Sequence, residues 1–447
     1  MQTRKTIGYI RLLKQNPSFR NLWYGQVVSE LGDWLNSIAI YALILKLSDS
    51  GMAMAGAMMA KLLPIVLVSP IAGVVVDRVS RKSVMIVSDL LRCVVVLGFL
   101  LVEDQGALWL VYALVIIEIS LSGFFEPARS AIIPSLVPKN DLVTANALSG
   151  STWSVMLAFG AALGGGIVYL FGIKIAFLVD ASTFLLSAWF ISRIPREESS
   201  ASAESPKQTG YQELTNAIRY LMAEPMVLVL SLLKAGLAVA GGIMTLIPLM
   251  ASQVLSISPS LGIGILYSAR GLGAALGPVL VKRIFGESAS ILQWAIAGAF
   301  FLKAFSYIFI AYSYNLWTLS LGVALATLFG SIIWVFSSAL IHLSAPDHYL
   351  GRVFSFELAL LTLVMGFSNW GVGYAVDGWE MNVKQIALWM AGLVLIPGLL
   401  WSGFLIFLRN KLAQGECVGS ICPVDPSGFN PIPIAGDRQS KIHAEVK

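Results

Sequence analysis

The sequence predicts an all-α membrane protein with twelve spans, and three observations carry that prediction. Only 12% of its 447 residues are charged and 57% are hydrophobic, with a mean hydropathy of +0.78. A soluble domain carries about 25% charged residues. Uncharged runs at 142–173, 235–269 and 385–408 are each long enough to cross the ~30 Å hydrocarbon layer. No alternation in the roughly ten-residue strands of a membrane barrel is present, which leaves helices as the spanning element.

The first span, 19–47, has a start signal: Asn16 as N-cap and Pro17 at the first helical position. Ser48-Asp49-Ser50-Gly51 breaks it from the second, 52–76, and the charged stretch GVVVDRVSRK (73–82) leads into the third, 83–102. Glu103-Asp104-Gln105-Gly106 precedes the fourth, 107–131; Pro138-Lys139-Asn140-Asp141 precedes the fifth, 142–171; the sixth is 174–193. A polar Ser/Glu linker follows. In it, Tyr211, Leu214, Ile218, Leu221 and Met222 recur at helical spacing, the pattern of an amphipathic helix on the membrane surface. Six more spans lie at 226–254, 260–281, 290–311, 315–343, 352–376 and 385–408. The expected division is a first bundle over 1–193, a linker over 194–224, a second bundle over 225–410 and a Pro/Gly-rich disordered tail over 411–447.

Charge sets the orientation. Of 30 Lys and Arg residues, 22 fall in segments on the side of the N-terminus; the opposite loops hold only Lys46, Lys174 and Lys384. The excess of positive charge inside places both termini in the cytoplasm, and the membrane expected is the plasma (inner) membrane. Residues 1–20 are basic and polar, so a cleaved signal peptide is not expected.

Several chemistries are excluded. The three cysteines (Cys93, Cys417, Cys422) and three histidines (His342, His348, His443) have no metal-ligand spacing. There is no Gly-Lys dipeptide, hence no P-loop for ATP, and no G-x-S-x-G or H-E-x-x-H motif. An enzyme is not expected, nor is a metal, a cofactor or a nucleic-acid partner.

The halves look related. A shift of 204 residues lays GPVLVKR (277–283) over GVVVDRV (73–79), and a shift of 208 lays Pro346 and Gly373 over Pro138 and Gly165. Repeated six-helix halves suit a secondary transporter, in which one half rocks against the other. GVVVDRVSRK resembles the loop between helices two and three of the major facilitator superfamily, with Gly73, Asp77, Arg78, Arg81 and Lys82 matching and Ser80 in place of a Gly or Ala. FGAALGG (159–165) is similar to the fifth-helix motif of that superfamily's antiporters, matching at Gly160, Gly164 and Gly165, with Ala161 where Pro is typical. FFEPARSAIIPSLVPKNDLVTANAL (124–148) and NPSFRNLWYGQVVSELGD (16–33) resemble the branch holding macrolide and siderophore exporters among the drug:proton antiporters. The resemblance implies the major facilitator fold with two pseudo-symmetric bundles. It also implies that Asp77 caps helix eleven near Gly351–Arg352, latching the halves while the cavity opens outward, with Arg129 as its salt partner. Arg78 and Lys82 are explained as topology charges alone. Because Val281 stands opposite Asp77 in the second half, the latch is expected to work from one half only. The glycine pairs Gly160/Gly164 and Gly273/Gly277 leave grooves for close helix packing, which is compatible with a gating role.

Ionisable residues at mid-membrane are functional candidates, because they are costly unless paired or wet. At 1.5 Å per residue, Glu30 and Asp33 lie ~17 and ~21 Å along the first helix, Lys61 ~23 Å from Val76, and Glu118 ~18 Å from Ser130. An Asp33–Lys61 pair fits those depths, and Arg92 with Asp89 reads as a structural pair. In the second half the buried charges read as basic: Lys234, Arg270 and Lys303. Asp180 is placed near the outer end of helix six. The resemblance implies that helices one, four, seven and ten line the cavity, which exposes Glu30, Asp33, Glu118 and Lys234, with Lys61, Arg92 and Arg270 as possible intramembrane partners. Trp34, Tyr41, Trp153 and Trp334 suit an amphiphilic ligand or helix packing. A carboxylate there can take up a proton on one side and release it on the other in competition with substrate. The function expected is a monomeric, proton-coupled exporter of a small amphiphilic organic molecule (drug, macrolide-like or siderophore) that contacts membrane lipid and is driven by the proton gradient. The alternatives are a lysophospholipid transporter without proton coupling, and a non-transporting sensor or scaffold.

Overall fold

The computed structural model describes residues 8–48, 50–195, 221–222, 224–285 and 288–414. Most of the linker, with the amphipathic helix expected there, and the tail beyond residue 414 lie outside them. Among the described residues are twelve helical spans long and apolar enough to cross a membrane, as expected. A short helix, Tyr9–Gln15, precedes the first. The first half comprises Pro17–Leu47, Gly51–Arg78, Arg81–Gly98, Leu108–Leu136, Leu142–Phe171 and Ile173–Ser192. The second comprises Pro225–Ala238 continued by Ile243–Gln253, then Pro259–Phe285, Ala289–Ala311, Leu316–Ser344, Asp347–Asp377 and Val383–Ala413. They are named below as spans one to twelve. An even number of crossings brings both chain ends to one side, the terminal face; the other is the far face.

Local chemistry starts and stops these helices. The Asn16 side chain accepts from Phe19 N at 2.9 Å with Pro17 at the first position, and its amide donates to Leu136 O at 2.6 Å, tying span one to the end of span four. Ser50, Ser80, Ser288, Asn315 and Asn382 cap spans two, three, nine, ten and twelve. Gly172, at φ 85°, turns the chain between spans five and six. Lys82 is more than a topology charge: its ammonium donates to Ser192 O (2.8 Å) and Ile194 O (2.5 Å), capping the C-terminus of span six.

The halves meet mainly along span five against span eight and span two against span eleven. Small residues permit this. A Cβ on Gly165 would stand 2.7 Å from Ser260 O and 3.0 Å from Gly264 Cα, and one on Gly271 2.8 Å from Ala158 N. Ser268 Oγ donates to Ala158 O at 2.6 Å across the same seam. Gly160 and Gly164 instead seat span five on span one, against Trp34 and Leu35, while Gly273 and Gly277 seat span eight on the backbone of span ten at Ala324 and Leu328.

Span seven is broken at 239–242, where an uninterrupted helix over 226–254 is expected from the sequence. Backbone freed inside a membrane must find partners within the protein. Ser368 Oγ donates to Val239 O (2.6 Å) and accepts from Gly242 N (2.9 Å); Tyr307 Oη donates to Ala240 O (3.0 Å); Asn369 Oδ1 accepts from Thr245 N and Oγ1 (3.2 and 2.8 Å). Asn369→Leu therefore strands two buried donors, and a loss of about 1–3 kcal/mol is expected. It would be read as a lowered thermal midpoint in detergent; an unchanged midpoint would refute the role assigned to Asn369.

Candidate functional site

The densest polar group in the first half is built around Arg92 of span three. Its guanidinium pairs with Asp33 of span one and stands 3.9 Å from Glu118 of span four and 4.0 Å from Asp89. Its face lies over the Phe184 ring, 4.1 Å from the centroid. Asp33 therefore pairs with Arg92, not Lys61, whose ammonium meets the same face of span one a turn further along. Lys61 donates instead to Ser37 Oγ at 2.5 Å and lies over Tyr41 at 5.0 Å. Asn36 Nδ2 donates to both Glu118 oxygens at 2.8 Å. Asp180 belongs to this group too, and its placement near the outer end of helix six is corrected. It is fully buried, and its Oδ1 would lie 2.3 Å from a Cβ on Gly32, so the glycine is what admits it to span one. Four carboxylates (Asp33, Asp89, Glu118, Asp180) thus gather around two cations, Arg92 and Lys61.

Asp33 connects this group to open space. Its side chain keeps 35% exposure against 3% for Arg92, and it lines a cavity of about 530 Å³ together with Glu30, Trp34, Arg129 and Trp153. The cavity runs from Ser37 toward the terminal face at Ile133 and Asn146, between the ends of spans four and five. Glu30 accepts from Gln26 Nε2 at 2.8 Å. Toward the far face the cavity ends at an aromatic stack joining the halves: Trp153–Trp34 (6.4 Å between centroids), Trp34–Tyr267 (6.1 Å) and Tyr267–Tyr41 (5.6 Å). Arg270 sits over Tyr267 at 5.6 Å, with no carboxylate within 4 Å among the described residues. The cavity walls present the rings of Trp34 and Trp153, the carboxylates of Glu30, Asp33 and Glu126, the guanidinium of Arg129, and Ser and Asn side chains.

The second half is not purely basic. Lys234 of span seven pairs at 2.7 Å with Glu357 of span eleven, which is 1% exposed. The ammonium also faces Trp334 at 4.7 Å. Lys234 is thus held in a buried pair rather than on the wall beside Asp33. Lys303 donates to Ala326 O at 3.0 Å.

The charged loop is arranged differently from expectation. Arg129 pairs with Glu126 at 2.6 Å, three residues away on its own helix, not with Asp77. Asp77 is exposed and makes no ion pair or hydrogen bond among the described residues; Arg78 is exposed and Arg81 half-buried beside it. Cβ atoms added to Gly73 and Gly351 would meet nothing within 4 Å. The halves are therefore parted at the terminal face and closed at the far face.

The residues of this chain from 13 to 424 match the family described as transmembrane secretion effector. The MFS-type transporter YfiS of Bacillus subtilis (strain 168), itself uncharacterized, is 26% identical over 441 residues, covering 90% of this chain and 100% of its own length. The enterobactin exporter EntS of Salmonella choleraesuis (strain SC-B67) is 26% identical over 378 residues, covering 77% of this chain and 82% of its own. A bacterial homologue of the human lysosomal transporter Spinster shares the fold, with a TM-score of 0.63 at 16% identity over 90% of this chain and 99% of that one. Family and relatives are transporters rather than enzymes, and twelve apolar spans make this a multi-pass membrane protein. The chain belongs to the transmembrane secretion effector family of the major facilitator superfamily.

Proposed function

We propose that the chain exports a small amphiphilic organic molecule from the cytoplasm in exchange for protons, alternating access between a terminal, cytoplasmic face and a far face. The single observation that supports this most is Asp33: it reaches the substrate-sized cavity and the shared Arg92 at once. Four carboxylates around two cations leave the group able to hold extra protons. Protonation of Asp33 releases Arg92 toward Glu118 and Asp89; a substrate in the cavity favours the opposite exchange. A proton and a substrate then compete for one carboxylate, which is the requirement for antiport. The family and the enterobactin exporter among the relatives support the outward direction. The ring faces of Trp34 and Trp153 beside carboxylates support an amphiphilic cargo.

The test is export of a panel of labelled amphiphiles from cells, with and without an uncoupler, for wild type and Asp33→Asn. Wild-type export is expected to stop with the uncoupler. Asp33→Asn is expected to insert normally yet lose more than about tenfold of the gradient-driven rate, the scale of one lost charge-assisted interaction. Export that ignores the uncoupler, or a variant that keeps its response, would remove the proposed coupling.

A further inference from the structure

The expected latch at Asp77 has a counterpart that repeat alignment does not reveal. Span two ends in Gly73-Val74-Val75-Val76-Asp77, and span eleven ends in Gly373-Tyr374-Ala375-Val376-Asp377, the same G-x-x-x-D pattern. The two spans lie against each other and run antiparallel, so each acid stands at the end where the other helix begins. At the far face the contact is made. Asp377 accepts from Ser50 Oγ (2.5 Å), Gly51 N (2.8 Å) and Met52 N (2.9 Å), taking first-turn donors of span two across the boundary between the halves. The glycines permit the approach: a Cβ on Gly373 would stand 2.7 Å from Ala55 Cβ, and one on Gly51 2.7 Å from Val376 Cβ. At the terminal face the equivalent contact is open. Asp77 has no partner among the described residues, a Cβ on Gly73 or Gly351 would meet nothing within 4 Å, and the N-cap of span eleven is Pro346, which has no side-chain acceptor for that helix's first-turn donors.

We propose that Asp377 is a gating residue of the transport cycle, holding the far face shut by capping span two, and that it alternates with Asp77, which caps span eleven when the terminal face shuts. Two helices, each stiff over about 40 Å, cannot be pressed together at both ends while a cavity opens at either. An acid at each C-terminus facing the partner's positive N-terminus gives both closed ends a similar favourable term. The near-balance is what a transporter needs, since a latch at one face alone would trap one state. On this proposal the latch works from both halves rather than one: the second half carries its acid in span eleven, at an offset of 300 residues rather than 204.

This inference rests on the alternating-access part of the proposed function, and its test reads distances instead of flux, so the two fail separately. Spin labels would be placed at Gln105→Cys and Lys384→Cys, on far-face segments of the two halves, in full-length protein with Cys93, Cys417 and Cys422 replaced, in nanodiscs without substrate or gradient. Asp377→Ala is expected to lower the ratio of far-closed to far-open molecules about tenfold, the effect of one charge-assisted hydrogen bond. Asp77→Ala is expected to raise it, and the double variant to return it toward wild type, which damage to stability alone would not do. Asp377→Asn, which keeps an acceptor but no charge, is expected to fall between and serves if the alanine variant does not insert. An unchanged distribution in Asp377→Ala or in its Asn substitute, or a shift in the same direction for Asp77→Ala, would overturn the proposal.

Discussion

Gly264→Leu is expected to abolish transport while the chain still inserts with all its spans. At the far-face seam a Cβ on Gly264 would already lie 2.7 Å from Ala161 O and 2.8 Å from Gly165 Cα, both backbone atoms that cannot swing aside. A leucine adds three more carbons there, so spans five and eight must part. Overpacking of a tight core costs about 1–3 kcal/mol, and this penalty falls only on the far-closed state, because the seam opens in the other. A bias of ~3 kcal/mol depletes one state by more than a hundredfold. Two readouts check it: flux in proteoliposomes, expected at background, and thiol labelling of a far-face cysteine at Gln105 or Lys384, expected to accelerate. Wild-type flux in this variant would mean that spans five and eight do not separate during the cycle.

The second large effect is expected at Arg92. Arg92→Leu removes the cation that Asp33, Glu118 and Asp89 share and leaves Lys61, held on Ser37, as the remaining cation of the group. Breaking a buried pair by removing one partner costs about 3–5 kcal/mol, because the other charge is left uncompensated. The thermal midpoint in detergent should fall accordingly and transport should vanish. Adding Asp33→Asn to Arg92→Leu should recover part of the midpoint but none of the transport. Arg92→Lys keeps the charge but loses the planar fork that spans several carboxylates, and is expected to lie between wild type and leucine. Equal midpoints for Arg92→Leu and wild type would show that the carboxylates are satisfied without the guanidinium.

The fold was legible because the bilayer imposes a coarse rule: an apolar run either crosses or it does not. Turn residues and caps such as Asn16-Pro17 mark the ends locally. The break in span seven was not legible. Its partners Tyr307, Ser368 and Asn369 lie 60 to 130 residues away, and the stretch Ala238-Val239-Ala240-Gly241-Gly242 is apolar enough to pass as helix. In the site, depth along a helix could be counted from the sequence but the direction around its axis could not. Depth alone does not select Arg92 over Lys61 as the partner of Asp33. The Arg129–Asp77 pairing is implied by the family resemblance, whereas Glu126, one turn away on the same helix, takes Arg129 here. Glu357 lies about three turns inside span eleven, and its direction toward span seven cannot be read from the sequence, so Lys234 reads as unpaired there. The Asp377 contact was present as a pattern, GYAVD beside GVVVD, but it obeys the antiparallel crossing of two helices and not the repeat.

In the proposed cycle Asp33 exchanges a proton for substrate. The most direct measurement is the pH inside proteoliposomes holding purified protein and a trapped pH dye, after a transported amphiphile is added outside in weak buffer. Wild type is expected to move protons opposite to the substrate, with a fixed ratio between them. Asp33→Asn is expected to abolish the proton signal while leaving any downhill substrate movement. Substrate flux in wild type with no accompanying proton movement, or an undiminished proton signal in Asp33→Asn, would contradict the account.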